Sequence, residues 1–569
     1  MIIILALPSV FSDLITFPEN TIRFLLISIF SLIWILSNFK ANINFPAKHV
    51  ILLLSGYYTL NILSSFWSLN PADSIMESQR IGTGIILILI FNSILKTEEK
   101  YISFLKSYLL FISFLIVSVS SDFLQLEHYS FEALYDVQSF FIHKNILASF
   151  LFLSLSLTSF SILKLKTKWK LFSILISSLL LLTLLLLFNR TTYLAIAVTA
   201  FTFIILKLKP RAKSITIVLT IFISFISFYS YHSISKMNQS NTITSTNSIS
   251  ERLNVWENTI ELIKEKPILG VGAGNWQYNF LKHSVSDINK IVHNNTTFQK
   301  PHNDFLWVLS ELGIIGILLF LLIVFFIFKP ALKPILKKHN IELSLIISFL
   351  IGLAVISFFS FPKERLTHIS LTVILISILL LRTKSTLQLK HDFIYKYLIL
   401  ILLCFNLTIS FFVIKGQYYT KLLLYEKQNN NPTAVINYGE QALSIYYTTD
   451  ETSTPISSYI GWASLLVNDV SKLNYHTQNA YSISPYDFEV LSNYAVVLLK
   501  NKQLTEAKEM LLQAYNINAH SEQVLINLFI LEYNVGNYEK AYTYLERIKN
   551  YERDYPMETK KIRNKLLTN

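Results

Sequence analysis

Charge is scarce in this chain and cysteine almost missing. Only 15% of its 569 residues are Asp, Glu, Lys or Arg, whereas 52% are hydrophobic. A soluble chain of this length does not have such a balance. The one cysteine, Cys404, sits in an apolar run, so disulfides within the chain and cysteine-based metal sites are excluded. No HExxH, GxSxG, paired-aspartate or Cys/His ligand pattern occurs, which argues against metal-centred catalysis, a resident metal or cofactor, and serine-triad hydrolysis. No basic helix or aromatic-basic module occurs either, so nucleic acid is not an expected partner. Met1–Leu5 lacks the basic region and small-residue cleavage site of a signal peptide and reads as part of a first span.

What is present is apolar sequence in blocks. Runs such as Val50–Ala72, Asn145–Leu163, Leu171–Asn189, Thr191–Leu206, Leu343–Pro362 and Tyr397–Ile414 contain no charged residue. Many approach the roughly 20 residues that a bilayer requires, and flanking Lys or Arg can snorkel where a run is short. The pattern predicts about 13 helices, near 1–16, 22–39, 49–66, 80–95, 104–121, 145–163, 171–188, 191–206, 214–231, 304–328, 342–361, 366–381 and 394–414. With that count, six basic clusters fall on one side: Lys40/Lys48, Lys96/Lys100/Lys106, Lys164–Lys170, Lys207–Lys213, Lys329–Lys338 and Arg382/Lys384/Lys390. Positive charge marks the cytoplasmic side, which puts the N-terminus inside and the C-terminal region outside. The polar segments Trp67–Arg80, Asp122–Lys144, His232–Pro301 and Pro362–Arg365 then face outward.

Charge is also split along the chain. From Lys415 onward 15 basic residues meet 16 acidic ones, leaving 34 against 20 in the membrane part. That surplus suits cytoplasmic loops and anionic lipid or phosphate ligands. Residues 1–415 therefore read as a membrane domain, with a long outer loop over 232–301, and 416–569 as a soluble helical domain. In the latter, Ala480 aligns with Ala514, Asn493 with Asn527 and Ala507 with Ala541, a 34-residue period. Small residues at fixed places let paired helices pack closely, and the period is that of tetratricopeptide repeats. Such a solenoid binds a protein partner or serves as a rigid spacer.

The outer segments carry the candidate chemistry. His302 opens the run P-H-N-D-F-L-W-V-L-S-E-L-G-I-I-G, Pro301–Gly316. Ionisable groups at the mouth of a span are costly and mark function. Imidazole accepts a proton near neutrality, and a helix N-terminus keeps the ring neutral. Asn303 and Asp304 either orient it or cap the helix. Glu311, two turns deeper, reads first as half of a buried ion pair with an arginine. Gly313 and Gly316 read as a surface against which another helix packs. Arg190 stands in an otherwise apolar stretch, where a guanidinium either grips a phosphate bidentately or snorkels. Arg80, expected to start a helix at the same face, has the same ambiguity. Arg252 and Trp256 lie on an amphipathic outer helix. Gly270, Gly272 and Gly274 alternate in P-I-L-G-V-G-A-G-N-W, which allows a turn with exposed amides, a candidate anion nest.

In this order, S-S-F-W-S-L-N-P (Ser64–Pro71), H-K-N (His143–Asn145), N-R-T-T (Asn189–Thr192), R-L-N-V-W (Arg252–Trp256), P-I-L-G-V-G-A-G-N (Pro267–Asn275) and the H-N to G-I-I-G pattern (His302–Gly316) resemble the O-antigen ligase and polymerase superfamily of bacterial envelope glycosyltransferases. The likeness covers roughly residues 1–415. It implies an all-α, polytopic helical bundle of the GT-C type with 12 or 13 spans in the inner membrane, followed by the tetratricopeptide-like solenoid. It also implies a metal-independent transfer of glycan from undecaprenyl pyrophosphate to an acceptor hydroxyl at the periplasmic face. His302 would activate the acceptor, and Arg190 and Arg252 would hold the leaving diphosphate. Arg80, Asn303 and His143 join them as candidate contacts, with Glu311, Trp256 and the five glycines as supports. The acceptor is lipid A-core, a growing glycan or a protein. A non-catalytic scaffold or a transporter is the alternative class, although a transporter would show broken helices and charges at mid-bilayer. A reporter fused after residue 420 is predicted to be active outside the cytoplasm; a cytoplasmic signal removes the 13-span topology.

Overall fold

The computed structural model describes residues 18–130, 133–207, 244–283, 298–338, 340–389, 392–549, 551 and 555–567. The helices expected near 1–16 and 214–231, the segments 232–243 and 284–297 of the long loop, and Lys209, Arg211, Lys213 and Lys390 lie outside them. Among the described residues, nine helices are long and apolar enough to cross a membrane. Two shorter apolar ones, Thr21–Ser37 and Leu366–Arg382, stand at two more of the expected positions. The fold is an all-α, polytopic helical bundle.

The bundle helices are α1 (Pro18–Ser37), α2 (Lys48–Leu63), α3 (Pro71–Ile94), α4 (Glu98–Gln125), α5 (Lys144–Lys164), α6 (Thr167–Leu186) and α7 (Arg190–Lys207). After the outer helices α8 (Thr244–Glu265) and α9 (Trp276–Phe280) come α10 (Asp304–Lys338), α11 (Ile341–Phe359), α12 (Leu366–Arg382) and α13 (Asp392–Gln428). Their inner faces share one core that includes Leu87, Leu105, Phe150, Leu151, Ile346 and Leu375. Their outer faces remain apolar: Leu52, Phe66, Leu124 and Leu171 are 69% to 86% exposed. Only lipid makes such a surface tolerable, and helices are favoured there because each satisfies its own backbone.

α10 and α13 run past their expected ends near 328 and 414, to Lys338 and Gln428. α3 begins at Pro71 rather than near Arg80, because proline suits the first helical position and Asn70 is held extended before it. Arg80 therefore sits inside the helix. α10 is broken at Gly313, whose φ of 63° and ψ of −163° are almost restricted to glycine.

The basic loops meet at one end of the bundle. Arg382 pairs with Glu98 (3.4 Å) and Glu342 (3.2 Å), Lys164 pairs with Glu342 (2.5 Å), and Lys396 donates to the Phe39 carbonyl (2.9 Å). There β1 (Phe45–Pro46) and β2 (Thr386–Leu387) form a two-stranded antiparallel pair. The polar segments expected to face outward gather at the opposite end.

The position expected for the domain boundary, 415/416, falls inside α13, which runs without interruption from the bundle into the C-terminal helices. These are α14 (Pro432–Ala442), α15 (Ile456–Leu466), α16 (Val470–Ile483), α17 (Phe488–Lys500), α18 (Leu504–Ile517), α19 (Glu522–Val535), α20 (Tyr538–Leu545) and α21 (Pro556–Leu567). Helices start at Val470, Leu504 and Tyr538, and their partners at Phe488, Glu522 and Pro556, so each step is 34 residues. Ala480, Ala507, Ala514 and Ala541 are all buried where the helices touch. Asn527 donates to Ser492 (2.8 Å) and Asn493 to Ser458 (3.5 Å), the same polar link one repeat apart.

Candidate functional site

The outer loop is bolted to the broken start of α10. Val271 donates to the Ser310 carbonyl (3.0 Å), Gly272 to that of Glu311 (2.9 Å), and Ile314 to that of Pro267 (2.8 Å). A Cβ on Gly270 would enter the backbone of Glu311, and one on Gly313 would enter that of Ile268. The partner of Gly313 is thus this loop, not a second helix as its spacing suggested. Gly316 lies just past the break, where a Cβ would overlap Leu312. Gly272 and Gly274 admit Ser68 and Asp73 to close approach. The expected anion nest exists, but an internal anion fills it: the amides of Trp276 (3.3 Å) and Gly274 both donate to the Glu311 carboxylate. Asn275 ties the loop to α3 by accepting from the Asn70 amide (2.7 Å) and donating to Ser74 (3.1 Å).

Glu311 pairs with a lysine, not an arginine. Lys363, in the turn Pro362–Glu364, reaches Glu311 (3.9 Å) and Glu77 of α3 (3.4 Å), and lies 3.6 Å above the Trp307 ring. Its amide donates to Asp304 (3.3 Å). Arg80 pairs with Glu77 on the same helix. Three chain segments are cross-linked by charge at the bundle's end.

His302 stands beside this network. Trp256 donates its indole N–H to the Pro301 carbonyl (2.8 Å), fixing the chain just before the imidazole. Asn303 is buried and caps α10, accepting from the amides of Phe305 and Leu306 at 3.0 Å each. His302 itself has φ of 53°, an uncommon conformation for a residue with a side chain. Its ring packs edge-on against Phe361, centroids 5.0 Å apart. Burial, with Arg252 and Lys300 adding to it, pushes the imidazole pKa down to about 4, against the pull of Glu364. The ring is therefore neutral and ready to accept a proton at pH 7, although it is a weak base before substrate binds. Lys300 pairs with Glu364. That pair, with Arg365 and Arg80, overcomes the opposing effect of burial and holds Glu364 down at about 2.

On the other flank of His302 is a cationic corner. Arg252 is within electrostatic reach of His302, and Arg190 within reach of Arg252. Arg190 opens α7, where Asn189 caps the helix by accepting from Thr192 (2.8 Å). Asn189 also donates to Asn145 (2.7 Å), which locks the start of α7 to the start of α5. His143 caps α5 by accepting from Asn145 (3.0 Å), and burial, with Lys144 and Arg365, lowers its pKa. Tyr135 unites the corner: Lys144 lies 4.0 Å over its ring, His143 packs against it at 5.3 Å, and both arginines feel it electrostatically. His302, Arg252 and Arg190 thus form a series, each within electrostatic reach of the next, and His143 joins it through Tyr135. Arg80 belongs instead to the buried network, on the Glu364 side. Sequence reasoning missed Lys300, Lys363 and Tyr135 as site residues. The one signal for Lys363 was a run of three charges, Lys363–Arg365, breaking an apolar sequence.

A family model described as O-Antigen ligase matches residues 175–321, about a quarter of the chain. The matched span runs from α6 into α10 and contains Arg190, Arg252, the loop glycines and His302. It supports an O-antigen ligase-like, glycosyltransferase-type role in polysaccharide biosynthesis, for which the family implies a lipid-linked glycan donor and a glycan acceptor. No curated protein matches the chain.

The charge network makes a stability prediction. Lys363→Met leaves Glu77 and Glu311 without their shared cation, and removing one partner of a buried pair costs about 3–5 kcal/mol. The purified variant should melt well below the parent in detergent, and adding Glu311→Gln should recover part of the loss. Equal melting temperatures for parent and single variant would contradict the bridging role of Lys363.

Proposed function

We propose that the chain transfers a glycan from undecaprenyl pyrophosphate to an acceptor hydroxyl at the periplasmic surface of the inner membrane. The observation that carries this reading is a neutral, half-buried imidazole with Arg252 within its electrostatic reach, and Arg190 within reach of Arg252, at the end of a lipid-facing bundle. A glycosyl diphosphate already has a good leaving group, so the protein needs only a base, cations and orientation. A ring nitrogen of His302 takes the acceptor's proton as its oxygen attacks the anomeric carbon. The bond from that carbon to the diphosphate breaks, and the electron pair leaves with the diphosphate. Arg190 and Arg252 hold the departing charge, Tyr135 and His143 keep the corner in place, and Asn303 and Trp256 fix the position of His302. No metal takes part in this scheme, because the guanidiniums supply the positive charge. The C-terminal helices are read as tetratricopeptide-like repeats outside the cytoplasm. Whole-glycan ligation is favoured over repeat-unit polymerisation because the pattern at His302–Gly316 is of the ligase type.

His302→Ala is expected to abolish surface polysaccharide while the protein inserts and melts normally; a strain carrying only that variant with normal polysaccharide would refute the base. Arg190→Lys is expected to be nearly as damaging as Arg190→Ala, since an ammonium lacks the planar fork. A lysine variant with near-parental rates of polysaccharide formation would reduce Arg190 to a point charge.

A further inference from the structure

The C-terminal helices do not hang free of the site. The loop between α14 and α15 lies on the outer face of the bundle and is tied there by side chains. Thr448 donates to Asn70 (2.8 Å), and Thr449 meets the Tyr278 hydroxyl (3.1 Å), which in turn donates to Asp73 (2.5 Å). Gln299 donates to the Thr452 carbonyl (2.6 Å) and accepts from Ser453 (2.6 Å). Gln299 is three residues before His302. The loop is braced from within by Asp450, which accepts from Thr452 and Thr454 amides at 2.9 Å each and from Tyr459 at 2.7 Å.

Between the two tied points is Glu451. Its side chain is exposed, although its neighbours crowd it. Gln417 of α13 donates to its carboxylate, which leaves most of the acceptor positions of that carboxylate open. Lys300 and Glu364 are within electrostatic reach of Glu451, and the same two groups act on His302. Lys300 is already paired with Glu364, so Glu451 is not needed to neutralise it. An open carboxylate on a loop tied to the segment that carries His302 fits a hydroxyl-rich ligand, because ionised oxygens accept strong hydrogen bonds from sugar O–H groups.

We propose that Glu451, delivered by the C-terminal helices, binds hydroxyls of the acceptor sugar and orients the acceptor toward His302. This rests on the transferase reading above and adds a specificity-determining residue from a region outside the family match. It makes the soluble helices one wall of the acceptor subsite.

The groups that act on Glu451 from each side set its titration. The neighbours that crowd the carboxylate desolvate it and raise its pKa to about 7; Gln417 and Lys300 pull it down, and Asp450 and Glu364 push it up. The carboxylate that accepts hydroxyls is therefore present above pH 7 and is lost below it. His302, with its pKa near 4, does not change charge in that range.

The test uses the full chain in vesicles and, as probe, the glycolipid fraction extracted from cells that lack it, which holds both unconsumed substrates. Glu451→Gln is expected to raise the half-saturating amount of this fraction about tenfold, the effect of losing one charge-assisted hydrogen bond, with little change in maximal rate. The acid limb near pH 7 should vanish in the variant, and Glu451→Asp should restore part of the saturation behaviour. Unchanged saturation and an unchanged pH profile in Glu451→Gln would overturn the proposal, as would an effect confined to melting temperature. His302→Ala in the same assay separates the two readings: activity there defeats the transferase itself, whereas loss there with a normal Glu451→Gln defeats only the acceptor contact.

Discussion

The outer end of the molecule depends on one buried carboxylate. Glu311 would be intolerable in an apolar bundle without partners. It is satisfied by the amides of Gly274 and Trp276 and by the ammonium of Lys363. Those three partners come from the outer loop and from the turn between α11 and α12. Satisfying one charge therefore fixes where two separate segments lie. The break at Gly313 belongs to the same contact: the backbone of Ile268 lies where a Cβ on Gly313 would stand, and the Ile314 amide donates to the Pro267 carbonyl (2.8 Å). His302 inherits its place from this arrangement: it is reached from the loop side through Trp256 and from the turn side through Phe361.

The two ends of the bundle use charge differently. At the end with the basic loops, Arg382 pairs with an exposed Glu98 and shares a half-buried Glu342 with Lys164. At the other end, the carboxylates Glu77, Glu311 and Glu364 are buried and share the half-buried cations Lys363, Lys300 and Arg80. Burial raises the strength of every such interaction and the cost of leaving one unmade. That is the environment in which an imidazole is kept neutral and an anionic leaving group is held by guanidiniums. The rigid passage of α13 into the C-terminal helices brings a second set of polar groups to the same end without a flexible linker.

Much of this was legible in the residues. Apolar runs of bilayer length and a one-sided distribution of Lys and Arg fix a polytopic helical bundle, because lipid leaves few other ways to satisfy a backbone. The 34-residue period also survives into helix starts, since small residues must recur where helices touch. His302, Arg190 and His143 were each conspicuous as polar residues at span ends, where solvation cost makes accidents rare, and Arg252 as a cation on an amphipathic helix of the outer loop.

Other features were not legible, and the reasons are physical. The glycines of Pro267–Trp276 announce exposed amides but not whose anion they hold; only the fold brings Glu311 there. The i,i+3 spacing of Gly313 and Gly316 fits a helix contact equally well, and the positive φ that replaces it comes from a loop far off in sequence. Lys363 and Arg80 look alike as outer cations, yet Arg80 lies well inside α3, paired with Glu77. Composition and periodicity, which report local solvation, determined that the chain is a membrane bundle with chemistry at one face. Which charge meets which, and that a loop from the C-terminal helices closes over that face, were decided by tertiary contacts between residues up to 378 positions apart, a separation no local pattern encodes.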